Sequence, residues 1–332
     1  MAAELLFTAG DLASMRFAVS PMWEVGPSLR LLHSGVAHPV HRPWVEQVRP
    51  RLASAGPDRG WLTEIVPPAG YVPDFINPAP AGPAATLAEE LAAIRATPPE
   101  RVRHDLDRLR AGAGGLGPRL SALYADPEAG LVRLVEAIEG YWELALAPYW
   151  ARIRALLDAD VLYRARRAAE YGAARVLNEL HTEVQWNEDT LRLSRRRSPL
   201  PHRAPGVAGL LLIPSAFTGP ALFTLVGPAD PPQLTYPARG IGTLWERRPA
   251  TGSTALAAVL GRSRTLLLTE LAAPASTTEL ARRTGLSPSA VSQYLTALRD
   301  AGLVSAHRAG RSVLYARTAA AEGILEPLTG EG

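Results

Sequence analysis

The sequence predicts an α+β protein, with a mainly helical N-terminal domain carrying a small antiparallel sheet over residues 1–250 and a winged helix-turn-helix domain over residues 253–325. Three observations point there. At 332 residues the chain exceeds one ordinary domain and, at roughly 150 residues each, fits two. Charge and aromatic content change together along it: Arg262 to Arg317 holds eight arginines against three acids, +5, leaving −2 for the remainder, and all seven tryptophans lie at or before Trp245. Between these regions Pro249 and Gly252 break regular structure, and Ser253 can cap a helix that follows.

Composition bounds the chemistry. Apolar residues make up 47% and charged residues 20%, enough to bury full cores, which excludes wholesale disorder and a coiled-coil rod. The absence of cysteine excludes disulfides, iron–sulfur clusters, thiolate zinc sites and a thiol nucleophile, and fits a reducing cytoplasm. All 35 basic residues are arginine; with 30 prolines and 28 glycines this reads as GC-rich coding and carries no functional weight. Glu4 and Asp11 replace the basic start and long apolar run of an export signal. The uncharged stretch Ala204 to Ala229 is cut by Pro205, Pro214, Gly219, Pro220 and Pro228, so it reads as two buried strands, Gly209 to Ile213 and Ala221 to Val226, and not as a membrane span.

The elements of the first domain follow in order. Pro98-Pro99, Gly112 to Pro118 and Pro127 punctuate early helices, and Leu131 to Ala147 and Ala151 to Leu177 carry apolar residues at three- and four-residue spacing. His181 to Leu193 then alternates as strand, tight Asn187-Glu188-Asp189 turn and strand. No internal repeat is evident.

The C-terminal region holds the strongest signal. Thr278 to Thr284 is a short helix with Ser276 or Thr277 as its cap, and Gly285 supplies the positive φ of a tight turn. Ser287 is a suitable N-cap and Pro288 a suitable first residue for a second helix, which runs to Arg299 before Ala301-Gly302 ends it. Val291, Leu295 and Leu298 form its apolar stripe, so Ser289, Ala290, Gln293 and Thr296 lie on the other side, small or amide-bearing and uncharged. Such a face can enter a major groove, with Gln293 reading adenine and Ala290 packing on a thymine methyl. Leu303 to His307 and Ser312 to Ala316 read as the strands of a hairpin turning around Gly310, with Arg308 and Arg311 at its tip to grip phosphate. The candidate contacts to double-stranded DNA are Thr278, Ser287, Ser289, Ala290, Ser292, Gln293, Thr296, Arg308 and Arg311. A winged helix that binds protein remains the alternative.

The runs Leu266-Leu267, Thr278 to Ala281, Gly285 to Ser287, Ala290 to Leu295, Leu298-Arg299 and Ala301 to Val304 resemble the arsenical-repressor (ArsR-like) family of winged-helix transcription regulators over about 60 residues. With Arg16-Phe17-Ala18, Ser20-Pro21, Trp23-Glu24 and Tyr236 to Gly240, the whole chain is also similar to a group of actinobacterial regulators bearing a further N-terminal domain. That resemblance implies a homodimer on a palindromic operator and names no ligand. Metal-sensing members carry paired cysteines on the first helix of the motif, whereas Thr277 to Thr284 contains neither sulfur nor imidazole, which excludes a soft-metal sensor of that type. A small-molecule effector would then act through the first domain.

Other clusters carry less. His33, His38 and His41 fall within nine residues, but no carboxylate shares the segment and Pro39 and Pro43 make it irregular, so they read as loop histidines and not as metal ligands. Trp142 and Tyr149 share a helix face with Tyr141 and Trp150 alongside, which suits core packing more than the wall of an effector pocket. Arg195-Arg196-Arg197 with Arg203 reads as a solvated loop as readily as a DNA-backbone contact. No phosphate loop, His-Glu-x-x-His helix or Gly-x-Ser-x-Gly elbow occurs, and no cofactor is implied. The sequence therefore reads as a cytoplasmic, dimeric transcription regulator, a repressor and not an enzyme. An enzyme or small-molecule-binding domain carrying a regulatory winged helix is the alternative.

Overall fold

The computed structural model describes residues 3–6, 9–34, 39–54, 60–188, 190–194, 209–227, 230–246, 253–309 and 312–325. In chain order its main elements are β1 (Ala3–Leu6), α1 (Ala9–Ala13), β2 (Arg16–Phe17), α2 (Met22–His33), α3 (Arg42–Ser54), α4 (Gly60–Ile65), α5 (Leu87–Arg95), α6 (Pro99–Ala113), α7 (Pro118–Ala125), α8 (Pro127–Ala145), α9 (Trp150–Tyr171), α10 (Ala173–Asn178), β3 (Val184–Asn187), β4 (Thr190–Leu193), β5 (Leu211–Ser215), β6 (Phe223–Leu225), β7 (Gln233–Pro237), α11 (Ser253–Leu260), α12 (Arg262–Glu270), β8 (Ala275–Ser276), α13 (Thr277–Thr284), α14 (Pro288–Asp300), β9 (Val304–Ala309), β10 (Ser312–Arg317) and α15 (Ala319–Leu325). The class is α+β, as the sequence predicts. Two compact units form: unit 1 comprises Met1–Val36, Gly60–Ala137 and Leu156–Ile241, and unit 2 comprises Ala37–Arg59, Ile138–Ala155 and Gly242–Gly332. The expected break at Arg248 to Gly252 lies outside the described residues.

In unit 1, proline and caps start the helices where the sequence places them. Pro99 and Pro118 open α6 and α7, and Thr86 closes a capping box on α5, its Oγ1 accepting from Glu89 N and its own N donating to Glu89 Oε2. β3 and β4 form the expected hairpin, with Asn187 opposite Thr190 and Glu188 at φ +52°; Asp189 is outside the described residues. β1 pairs with β4 to complete an antiparallel sheet of order β1-β4-β3.

The two apolar strands belong to a second, mixed sheet of order β2-β5-β7-β6. β5 is parallel to both β2 and β7, and β6 is antiparallel to β7, so β7 separates the two strands that are consecutive in sequence. A central strand covered on both faces reads as an unbroken apolar run, and every residue of β5 is buried. Leu210 and Leu212 pack with Trp186 and Leu191 of the hairpin, while Leu211 and Ile213 pack with Trp23 of α2.

Two acidic groups of unit 1 lie inside this packing. Glu24 is fully buried; its carboxylate accepts from Ala216 N (2.9 Å) and from Ser215 Oγ (3.1 Å). Burial outweighs these hydrogen bonds and pushes its pKa up to about 8. Asp160, also buried, accepts from Arg164 Nε (2.9 Å), Tyr236 Oη (2.9 Å) and Arg239 N (3.1 Å), while the Arg164 guanidinium sits 4.6 Å from the Tyr236 ring centroid. Tyr236 and the Arg239 backbone of this motif thus serve a buried structural joint around Asp160.

In unit 2 an aromatic cluster from α3, α8 and the segment 147–150 packs beside the winged helix, where residues 147–149 meet β9 and β10. Trp44 of α3 is fully buried and donates Nε1 to Ala145 O (2.9 Å). Trp142 meets Trp150 edge to face at 4.9 Å, and Tyr149 meets Trp245 at 5.5 Å, so both aromatics flagged in the sequence are core residues. Arg51 donates to Tyr149 Oη (3.1 Å) and to Pro274 O (3.2 Å). His41 is buried and accepts from Trp245 Nε1 (3.0 Å), His33 is exposed, and His38 lies outside the described residues. No helix among the described residues is long and apolar enough to cross a membrane, and no metal-ligating cluster occurs among them.

Candidate nucleic-acid interface

The helix-turn-helix is built from local signals. Ser276 Oγ accepts from Glu279 N (3.3 Å) while Glu279 Oε2 accepts from Ser276 N (3.1 Å), a capping box that starts α13. Gly285 ends it at φ +72°, a left-handed conformation that a side chain would strain. Ser287 Oγ accepts from Ala290 N (3.2 Å), and Pro288 occupies the first turn of α14. With 13 residues the helix is about 20 Å long.

Val291, Leu295 and Leu298 of α14 are buried with Leu267, Leu268 and Leu280, as their spacing requires. The opposite side leaves Ser289, Ser292, Gln293 and Thr296 exposed, with Ala290 half-buried at its margin. Thr278 on α13 and Ser287 are exposed as well. Their hydrogen bonds separate them further. Thr296 Oγ1 donates to Ser292 O (3.0 Å), and Ser287 Oγ serves the cap while lying 3.1 Å from Ser289 Oγ. Gln293 and the Ser292 hydroxyl make no side-chain hydrogen bond among the described residues. A Gln amide offers a donor and an acceptor in one plane, the geometry of a two-point contact to a base edge.

β9 and β10 form the hairpin after α14, with Val304 opposite Arg317 and Ala309 opposite Ser312. The strands run further than the sequence suggests. Arg308 stands on β9 opposite Val313, one residue short of the closing pair, and not in the tip. Arg308 is exposed and has no ion-pair partner among the described residues; Gly310 and Arg311 lie outside them. β10 also pairs with β8, which ties the hairpin to the start of α13. His307 on β9 is held between Ser305 Oγ (2.8 Å) and Glu143 Oε2 (3.2 Å) of α8, a positioning contact that sequence reasoning missed because its partner is far along the chain.

The basic balance of this segment is partly structural. Arg317 Nε and Nη2 donate to Leu268 O (2.6 Å) and Thr269 O (2.8 Å), the carbonyls that end α12, and Nη1 lies 3.3 Å from Glu322. Burial holds its pKa below the usual arginine range. Arg264 donates to Leu260 O (3.1 Å) and faces the Tyr294 ring at 5.4 Å. Arg283 lies 3.6 Å from Glu279 and Arg299 3.7 Å from Asp300, which leaves Arg262, Arg282 and Arg308 exposed without an ion-pair, hydrogen-bond or ring partner among the described residues. The cluster Arg195 to Arg197 with Arg203 is outside the described residues.

Comparison with known proteins falls on this same region. Residues 265–306 match the family described as "Bacterial regulatory protein, arsR family". The chain is also similar to the HTH-type transcriptional regulator NmtR of Mycobacterium tuberculosis, with 44% identity over 64 residues, 19% of this chain and 53% of the relative. It thus spans about half the length of that curated relative. No solved structure matches the chain. The segment from α12 into β9 is an arsR-like helix-turn-helix.

Proposed function

We propose that the chain is a DNA-binding transcription regulator that represses its target as a homodimer on a palindromic operator, with unit 2 contacting DNA. α14 enters the major groove, Gln293 reads a base edge, and Ser289, Ala290, Ser292 and Thr296 line the contact. Thr278 and Ser287 approach the backbone, and Arg308 and Arg311 grip phosphate beside the groove. The first domain senses an effector or joins the two subunits, and its state alters the distance between the two recognition helices. Half-sites one helical turn apart, about 34 Å, tolerate little change in that distance. The observation that carries this reading is the exposed, uncharged polar side of a helix whose other side is locked into a core by Val291, Leu295 and Leu298.

The test is a salt-dependent binding measurement on the DNA upstream of its own gene. Gln293→Ala should relax the preference at one base position by about 1–3 kcal/mol, while Arg308→Ala should weaken all sequences alike and flatten the salt slope by about one. If neither change alters affinity or salt dependence, the assignment of α14 and the hairpin to DNA is wrong.

A further inference from the structure

Unit 1 contains a cavity of about 170 Å³ between α2, the segment 70–77 and β6. Its walls are aromatic. The rings of Trp23 and Phe223 stand 6.4 Å apart at 41°, and Tyr71 closes a further side. These walls are held from behind. The buried Gln233 accepts from Trp23 Nε1 (2.8 Å) and donates to Asn77 O (3.1 Å), and Tyr71 Oη accepts from Asp74 N (3.0 Å) and Arg108 Nη1 (3.1 Å). A cavity so braced is formed before any ligand arrives.

Two polar groups on its lining are incompletely matched by the fold. The side chain of Asn77, 8% exposed, keeps its Oδ1 without a hydrogen bond. That oxygen is itself enclosed and is not open to a ligand in the cavity. Arg30 donates Nε to Pro67 O (3.1 Å) and Nη2 to Gly70 O (2.6 Å), and no described carboxylate pairs with it. Burial without such a partner lowers its pKa. The acid on the same lining, Asp74, is taken by Arg108 Nη1 at 2.6 Å. The site therefore presents the Arg30 guanidinium, which no described carboxylate faces, beside the aromatic faces of Trp23, Tyr71 and Phe223.

Size narrows the occupant. A cavity of about 150 Å³ accepts benzene, whereas drug-sized ligands need roughly 300 Å³ or more. We propose that this cavity binds a small aromatic carboxylate of one ring, its carboxylate on Arg30 and the ring lying against Trp23 and Phe223. As the signal for a repressor, this ligand rests on the regulator reading above; as a binding site it does not.

Calorimetry on the full chain with 4-hydroxybenzoate tests the site, with 4-hydroxybenzyl alcohol as the probe that keeps ring and hydroxyl but lacks the charge. The expected result is saturable binding of one 4-hydroxybenzoate per chain. Arg30→Gln should weaken it roughly tenfold or more, the loss expected for a hydrogen bond to a charged group, while leaving the alcohol unaffected. Val72→Trp, placed at the cavity wall, should abolish binding of both probes while circular dichroism shows an unchanged fold. Absence of saturable 4-hydroxybenzoate binding by the wild type overturns the proposal, and so does equal binding by all three proteins. Upstream DNA, titrated with and without 4-hydroxybenzoate, separates the two readings. A chain that binds DNA but not the probe refutes the site, one that binds the probe but no DNA refutes the regulator, and one that binds both without mutual effect refutes the effector role.

Discussion

Glu24→Gln isolates the buried carboxyl of unit 1. Glu24 is fully buried, and its hydrogen bonds from Ala216 N and Ser215 Oγ do not offset the loss of water around a charge, so its pKa lies at about 8 against an ordinary value of 4.5. Through that window the folded chain holds a proton that the unfolded chain has lost. The stability contributed by Glu24 is therefore fully present below pH 4.5, falls as pH rises through the window, and levels off above about 8. Well inside the window each pH step of one costs about 1.4 kcal/mol, so between pH 6 and 8 the loss is about 2 kcal/mol. For a unit of this size that corresponds to roughly 4–8 °C in Tm. Glutamine keeps the shape, accepts from Ala216 N through its oxygen and donates to Ser215 Oγ through its amide, without any charge to bury. Glu90, whose pKa burial raises to about 7, adds a slope of the same sign to both proteins. The difference between wild type and Glu24→Gln, measured by urea unfolding from pH 6 to pH 9, should therefore move in favour of the variant by about 2 kcal/mol as pH rises. A constant difference across that range would refute the argument.

Three other perturbations follow from the packing. Asp160→Asn leaves the buried Arg164 guanidinium without its counter-charge and should cost about 3–5 kcal/mol in denaturant unfolding; a loss below about 1 kcal/mol would mean that water reaches the pair. Leu295→Ala empties a fully buried position behind the polar side of α14 and should cost about 2–5 kcal/mol, with DNA affinity falling alongside stability. Gly285→Ala forces a side chain into φ +72° at the turn and should cost about 1 kcal/mol, seen as a lower urea midpoint with an unchanged slope.

The helix-turn-helix was legible because each of its signals is local. Capping at Ser276 and Ser287, the left-handed Gly285, and the three- and four-residue spacing of Val291, Leu295 and Leu298 act within a few residues of one another. The hairpin at Glu188 was legible for the same reason. What stayed hidden depends on partners distant in sequence. β5 pairs in parallel with β2, with Arg16 beside Leu211, and no local pattern announces a partner so far away. Segments 37–59 and 138–155 pack with the winged helix in unit 2, although composition assigns them to the N-terminal domain. Glu24 had one visible signal, an acid set among Trp23, Val25 and Met22, but a side chain on a helix can equally face water.

Availability, and not residue type, separates the groups that can act on a partner from those that hold the fold. Arg317 and Arg308 are both arginines of one hairpin, yet Arg317 is bound to the carbonyls that end α12 while Arg308 stands exposed on β9. Counting charge gives both equal weight, but of the two only Arg308 keeps its guanidinium exposed. On α14 the same division falls between Thr296, whose hydroxyl returns to Ser292 O, and Gln293, whose amide has no partner among the described residues. It recurs in unit 1, where Asp74 is held by Arg108 while Arg30 faces no described carboxylate. A polar side chain already satisfied by its own backbone gives up that bond to make a new one and gains little net. Gln293 and Arg308 give up less than their satisfied neighbours, so substitutions at these two should change recognition more than stability, whereas changes at Arg317, Asp160 and Glu24 should act in the reverse order.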